Sequence, residues 1–347
     1  MISAGKGHLS HQFGVVFTRR QGSFADLEAS GQRRRTRRER FLEQMEAIVP
    51  WREWVAPVES HYPDGRRGRR PVGCERMLRM YLLQVWFHLS DEACEDAVMD
   101  SRATRRFVGI DMMSEQVPDA TTLPEFRHLL EGEGLGEGML AELVSILDER
   151  GIIMRGGSIV DATFVESPSS TKNRERSRDP EAHQAKKGNN WHFGYKAHAG
   201  VDAGTGLVHT VEVTAANVSD VAVAPSLLRP DDEFCYADAG YTGIGKRPEV
   251  RGDPTLSGVE WRVARRRSRV PGRDHPEVSW ERGIESSLSR VRSKVEHPFH
   301  VIKDLFGLRR TRYRGLEKNR NQLCVAFALA DLALLAQAGR TLAPTCA

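Results

Sequence analysis

Apolar residues recur along this chain with two different periods, and the point of change divides it. In the first third the period is helical. Phe41, Met45 and Ile48 share one face between Thr36 and Ile48, and Pro50 stops the run. After the turn-rich stretch HYPDGRRGRRPVG, a second helix is predicted from about Cys74 to Leu89, with Met77, Leu78, Tyr81, Leu82, Val85 and Leu89 on its apolar face. Ser90 suits the cap of the next helix, whose first turn holds Asp91 and Glu92, where the helix dipole favours anions, and which ends near Asp100. Gly109 closes a short helix after it. Thr122-Leu-Pro-Glu125 reads as a capping box ahead of Phe126–Leu130, and a last helix covers about Gly136–Arg150.

The middle of the chain has a period of two. Ser158–Val165 is a short apolar strand bearing Asp161. Trp191–Asp202 alternates strictly, with Trp191, Phe193, Tyr195, Ala197, Ala199 and Val201 on one side. After the turn DAGTG, Leu207–Thr214 returns as the next strand. Asn217–Leu228 suits a helix crossing the sheet, Glu233–Asp238 a fourth strand and Trp261–Ala264 a fifth. This order is mixed α/β. Between the first two strands lies Ser167–Asn190, polar, basic, without an apolar face and too long for a plain connector. It starts soon after Asp161, and the expectation is a mobile segment that closes on a ligand there, with Lys172, Lys186 and Lys187 among its cations.

The helical period returns late. Ile284, Leu288, Val291, Val295, Phe299, Ile302 and Phe306 form a stripe through Ser286–Leu308, with a kink expected at Pro298. Beside the stripe, Arg292, Glu296 and Lys303 fall within roughly 40° of one another on an ideal helix. Taken alone, this is an amphipathic core helix with a solvated charge ladder. Asp161 and Asp238 change the balance. Each sits on or at the end of an apolar strand, and if those strands are neighbours both acids converge with Glu296 where open α/β sheets place ligands.

The chain has 347 residues and a formal charge of +4, but its cations are clustered: RRRTRRER at 33–40, RRGRR at 66–70, RVARRRSR at 262–269 and RRTRYR at 309–314. Separated basic clusters in a nearly balanced chain point to a polyanion partner, and a helix-turn-helix reader with phosphate contacts from Arg67, Arg69 and Arg70 suits the helical third. A helical dimerisation module suits it equally. Five cysteines without paired spacing argue against a zinc site or a disulfide framework. The most apolar run, Leu323–Ala338, is short for a membrane span and carries Asp331, so a buried helix is expected and no membrane partner. Residues 1–22 share neither period and read as a disordered extension.

Three carboxylates have a use if they meet. Phosphodiester cleavage needs an activated water and charge compensation at the attacking and leaving oxygens, which two Mg²⁺ ions supply. Asp161, Asp238 and Glu296 have the number and type for such a cage, one acid bridging and one on each ion. As isolated residues both aspartates are ordinary strand-end turn residues. Tyr313 among arginines has no histidine–arginine set upstream to make a covalent tyrosine site. His192 and His198 are too far apart for an H-x-H metal pair, and no Gly-x-x-x-x-Gly-Lys loop occurs.

These residues resemble insertion-sequence transposases of the DDE class, in the IS-five family. Arg292, Glu296 and Lys303 match that family's R-x3-E-x6-K motif, with Ser289 where the family motif begins with tyrosine. DATFVESPSSTKN, RDPEAHQAKKGNNWHFGYKAH, DAGYTG, FGLRRTRYRGLEKN, RRTRRERFLEQM, GRRPVGCERMLRMYLLQVWFHLSDE and PDATTLPEFRHLLE resemble family blocks, and the similarity covers about residues 23–338. It implies an α/β RNase H-like catalytic domain at 151–310 with the insertion 167–190, an all-helical DNA-binding domain at 23–150, and a C-terminal helix and tail at 311–347. It further implies Asp161, Asp238 and Glu296 as catalytic metal ligands for two Mg²⁺ ions, with Mn²⁺ able to substitute. Arg292 and Lys303 would contact DNA phosphate or orient Glu296. The implied substrate is double-stranded DNA, as terminal inverted repeats and target, handled by a homo-oligomer in the bacterial cytoplasm, at the nucleoid. The alternative is a decayed element product that binds DNA as a repressor without catalysis. A scaffold protein with a surface ion-pair helix fits the arginine clusters least.

Overall fold

The computed structural model describes residues 35–63, 65, 71–113, 115–265, 278–340 and 342. Arg67, Arg69, Arg70 and residues 1–22 lie outside them. The helical period yields α1 (Arg37–Ile48), α2 (Trp51–His61), α3 (Cys74–Phe87), α4 (Asp91–Asp100), α5 (Arg102–Val108), α6 (Thr122–Gly132) and α7 (Leu135–Glu149). The helix α2 was not read from the sequence, because Pro57 interrupts its pattern; Trp54 and Val58 nonetheless supply a buried face. The helix at the centre of this layer is α3, buried on almost every side from Met77 to Trp86. Its one buried cation, Arg79, is held by Glu46 and Glu75, donates to the Phe107 carbonyl at 2.8 Å and lies over the Trp51 ring at 4.0 Å.

Ser90 caps α4 as expected, accepting from the Ala93 N–H at 3.0 Å. The capping box at Thr122 does not form. Asp119 does that work, its Oδ1 accepting from the N–H groups of Thr121 and Thr122 at 3.1 and 2.9 Å. A carboxylate three residues back reaches orphan N–H groups better than Glu125, which lies inside the first turn.

The strands are β1 (Gly157–Glu166), β2 (His183–Lys187), β3 (Asn190–Asp202), β4 (Val208–Ala215), β5 (Phe234–Ala237) and β6 (Glu260–Val263). Among the described residues they form one six-stranded sheet. One edge of β3 pairs antiparallel with β1; its other edge takes β4 and, further along, β2. β5 lies parallel to β1, and β6 parallel to β5. The strands bearing Asp161 and Asp238 are therefore neighbours, as the convergence of those acids required.

The expected helix at Asn217–Leu228 is shorter and broken: one α turn, Asp220–Val223, runs into a 3₁₀ turn, Ala224–Leu227. Pro225 cannot continue the hydrogen-bond ladder. The insertion is also better anchored than its composition suggests. Its second half contains β2, and Asp179 is buried, accepting from the Tyr195 hydroxyl at 2.7 Å and the Gly315 N–H at 3.0 Å. Arg314 reaches Glu175, Ser177 and the Arg178 carbonyl. Part of the last arginine cluster thus binds the chain to itself.

The late helical run is interrupted more than one proline demands. Helix α8 (Val278–Arg292) passes into a 3₁₀ turn (Ser293–Val295), a short α segment (Glu296–His300) and a π turn (Val301–Leu305). Its apolar stripe is buried from Val295 through Phe299 and Ile302 to Phe306, while Trp280 and Ile284 are exposed.

Helix α9 (Leu316–Gln337) binds the two layers together. It packs on α7 and on β4, and its residues are buried all round from Gln322 to Ala333. One continuous apolar core runs from Leu42 through Leu329 to Leu342. A smaller cluster, with Val160, Cys235, Ala237 and Tyr241, covers the other face of the sheet. Asp331 is wholly buried in α9, and both its oxygens accept from the Val208 N–H at 3.0 Å. Burial pushes its carboxyl well above the usual range. Nearby, buried His209 bonds the Ser158 hydroxyl at 2.8 Å and Thr210 at 2.9 Å, and burial beside Arg229 lowers its pKa to about 3.

Two predictions follow from these buried polar groups. Asp331→Leu strands the Val208 N–H and is expected to cost about 1–3 kcal/mol in urea unfolding. Asp331→Asn keeps an acceptor without the buried charge, so its stability relative to wild type should rise with pH. For His209, the unfolded chain takes a proton below 6.5, whereas the folded protein excludes it down to about 3. Stability therefore falls as pH falls through that window, by about 1.4 kcal/mol per unit from this group. A His209→Gln variant should show a pH slope shallower by that amount.

Candidate active site

The candidate acids reach one region by three routes. Asp161 stands in the half of β1 that extends beyond the β5 pairing, opposite Ala199 on β3. Its Oδ1 accepts from the Ala162 N–H at 2.7 Å. Asp238 follows the last residue of β5 and caps the 3₁₀ turn Ala239–Tyr241, its Oδ1 accepting from the Gly240 N–H at 2.7 Å. A Cβ at residue 240 would sit 2.9 Å from that oxygen, so a side chain there would shift the carboxylate. Glu296 is exposed and opens the short α segment after the 3₁₀ turn. It is steadied from two residues back: Lys294 Nζ donates to the carbonyls of Ala203 and Gly204 at 2.6 and 2.7 Å, tying this segment to the β3–β4 turn.

Electrostatics show that the three acids share a field. Burial raises the Asp161 carboxyl to about 6, and the charges of Asp238 and Glu296 add to the rise. The Ala162 N–H and the Lys187 ammonium oppose it. Among the described residues, however, no three His, Cys, Asp or Glu side chains stand close enough to hold one metal ion. The carboxylates face a common region without converging on a point. Their donor set is all oxygen, which suits a hard divalent cation, and such a cation would relieve the repulsion that Asp161 feels.

The cations divide into two groups. Lys303 lies half-buried in the π turn, and its pKa is lowered by burial and by neighbouring Lys187 and Arg309. Asp304 and Glu166 act on it in the opposite sense. Neither Arg292 nor Lys303 forms an ion pair with Glu296 among the described residues, so the solvated ladder is absent. The 3₁₀ and π turns change the twist that ideal spacing assumed. Lys187 stands near both Asp161 and Lys303. Lys172 and Lys186 are exposed on the insertion.

Sequence reasoning missed Tyr241. Its ring is buried beside the site, its hydroxyl has no hydrogen-bond partner within the described residues, and the charges of Asp161, Asp220 and Asp238 act on it. Its place in DAGYTG, three residues after Asp238, was the available signal. Lys196 and His198 were also missed, since the alternation of β3 assigns them to an outer face. The Asp220 turn covers that face: Lys196 bonds Asp220 at 2.8 Å, and His198, 3.7 Å from Asp220, bonds Thr214 on neighbouring β4 at 2.9 Å.

A cryo-EM structure of the piggyBac transposase synaptic complex with hairpin DNA matches at a TM-score of 0.40 and 11% identity, over 87% of this chain and 74% of that one. The model of a transposase domain (DUF772) matches residues 30–129. That of the transposase DDE domain matches residues 154–332, just over half of the chain, and spans all three acids. The chain therefore belongs to the transposase DDE domain family.

Proposed function

We propose that this transposase hydrolyses a DNA strand at the inverted-repeat ends of an insertion sequence and joins the freed 3′-hydroxyl to target DNA. The observation that carries the reading is the shared field of Asp161, Asp238 and Glu296 inside the matched DDE domain. The strand order β4-β3-β1-β5-β6, in which β3 runs opposite to the other four, supports an RNase H-like sheet. The R-x3-E-x6-K spacing supports membership of the IS-five family.

DDE transposase domains generally use divalent metals, and Asp161, Asp238 and Glu296 are the residues that would hold two Mg²⁺ ions, or Mn²⁺ in their place. Bound there, the pair would supply an activated water and charge compensation at the attacking and leaving oxygens. The chain's own residues do the rest. Asp238 is oriented by the Gly240 N–H, and Glu296 is steadied through Lys294. Lys187 and Lys303 lie near each other beside the site and, with Arg292, hold the scissile strand by its phosphates, with Lys172 and Lys186 further out on the insertion. The helical layer of residues 23–150 reads the terminal repeat, with Arg67, Arg69 and Arg70 on the backbone, and a homo-oligomer on the DNA brings two ends together. The location would be cytoplasmic, at the nucleoid; no helix among the described residues is long and apolar enough to cross a membrane.

The test uses a DNA fragment carrying the flanking genomic repeats, with Mg²⁺, scored for nicks at the repeat ends. Asp161→Asn, Asp238→Asn and Glu296→Gln should each lower nicking by about a hundredfold or more, because each removes a charged ligand while keeping its shape. Repeat binding by gel shift should stay within about twofold, since the changes do not touch the phosphate contacts. Near-normal nicking by any one variant removes that residue from the site. A wild-type protein that binds the repeats with metal and never nicks them is the decayed repressor instead.

Gly240→Ala gives a finer check. The new methyl displaces the Asp238 carboxylate, so nicking should fall about tenfold or more without loss of repeat binding. Unchanged nicking would show that the orientation of Asp238 is not set by this turn.

A further inference from the structure

The β2–β3 hairpin carries a feature the proposed reaction does not use. Its tip is the two-residue turn Gly188–Asn189, flanked by Lys186, Lys187, Asn190 and Trp191. Trp191 is 67% exposed, although an indole normally buries most of its large apolar surface. Nothing in the insertion can cover it: from Ser167 to Asn190 the apolar side chains are Ala182 and Ala185, apart from prolines.

The hairpin does not continue straight out from the sheet. At Gly194, φ is +151, and a Cβ there would stand 2.3 Å from the Val165 carbonyl oxygen, so the strand turns sharply against β1. Beyond the turn it doubles back. The His192 ring stacks on Phe164 with centroids 4.5 Å apart and planes 16° from parallel, and His192 Nδ1 lies 3.0 Å from Glu166 Oε1. By register alone, Phe164 belongs opposite Lys196, four residues further along β3. The tip is thus pinned over the half of β1 that holds Asp161. With His192 fixed inward, alternation turns Trp191 outward. Lys186, paired with Trp191 across the hairpin, places its ammonium 6.0 Å from the indole centroid. Lys187 at the same tip acts on Asp161 itself.

An open aromatic face beside a cation, on a rigid support next to a strand-processing site, matches one ligand chemistry. A flat base stacks on the ring, and the adjoining phosphate meets the ammonium. Duplex DNA hides its base faces, so the ligand must be unpaired. We propose that the tip of this hairpin is a binding subsite for an unpaired nucleobase of a DNA strand, with Trp191 as the stacking face and Lys186 as the phosphate contact. This rests on the transposase reading only in taking DNA as the ligand.

The experiment compares full-length wild type, Trp191→Ala and Trp191→Phe in fluorescence anisotropy with two labelled probes: a thymidine strand of about 20 nucleotides and a duplex of equal length. Loss of one base–aromatic stack should weaken binding of the single strand by Trp191→Ala about tenfold or more. Trp191→Phe should recover most of that loss, and duplex binding should change by less than about twofold, because duplex contacts are to the backbone. Equal binding of the single strand by wild type and Trp191→Ala overturns the subsite. So does an equal loss on both probes, which marks a general or structural role. Nicking is scored separately: Trp191-dependent strand binding by a wild type that never nicks would keep the subsite and remove the enzymatic reading.

Discussion

A helix without a polar side has to be surrounded, and α9 is such a helix. From Gln322 to Ala333 its residues are buried, so the chain must present apolar surface to it from every direction. The helical layer does so through α7, and the sheet does so through β4. The single core that results holds the sheet at a fixed orientation to the helices, and the carboxylate site inherits its rigidity from that packing. Asp331 adds specificity: a wholly buried carboxylate aimed at one N–H group sets the register of α9 on β4.

Within that frame the acids are positioned by strand order and by local hydrogen bonding. β1 and β5 are parallel neighbours, so acids towards their C-terminal ends emerge on one side. Glu296 arrives from a helical run broken just before it. A regular α-helix there would have placed Arg292, Glu296 and Lys303 in a row, where the cations neutralise the acid. The 3₁₀ and π turns separate them, leaving Glu296 to act on Asp161. An acid so freed contributes its charge to the site rather than to a surface ion pair.

Much of this was legible in the residues. The helical period from about Cys74 to Leu89 and the alternation of β3 were legible because burial writes its period into the order of apolar side chains, and the apolar run Leu323–Ala338 marked most of α9 as a buried helix. The acids could be proposed as a set because each ends or interrupts an apolar element. The rest was hidden for identifiable reasons. Pro57 masked α2, and Asp119 capped α6 from a position no capping-box pattern includes. The outer face of β3 gave no sign that Lys196 and His198 would be covered, since the cover comes from the Asp220 turn much later in the chain. The arginines at 309–314 read as contacts for a polyanion, yet Arg314 bonds the insertion and Arg312 lies 3.7 Å from Asp91. Composition records a charge without recording its partner.

The Lys294 contact has a consequence in time as well as space. The carbonyls it holds belong to Ala203 and Gly204, 91 and 90 residues earlier. During synthesis the β3–β4 turn leaves the ribosome well before its partner exists, and the loop between them must close before Glu296 is in place. The sheet can pair its strands early, but the third acid comes into position only when the chain is nearly complete. A copy that ends before residue 294 therefore has the β3–β4 turn without the side chain that ties the Glu296 segment to it. The order of elements along the chain makes this tie one of the last to form.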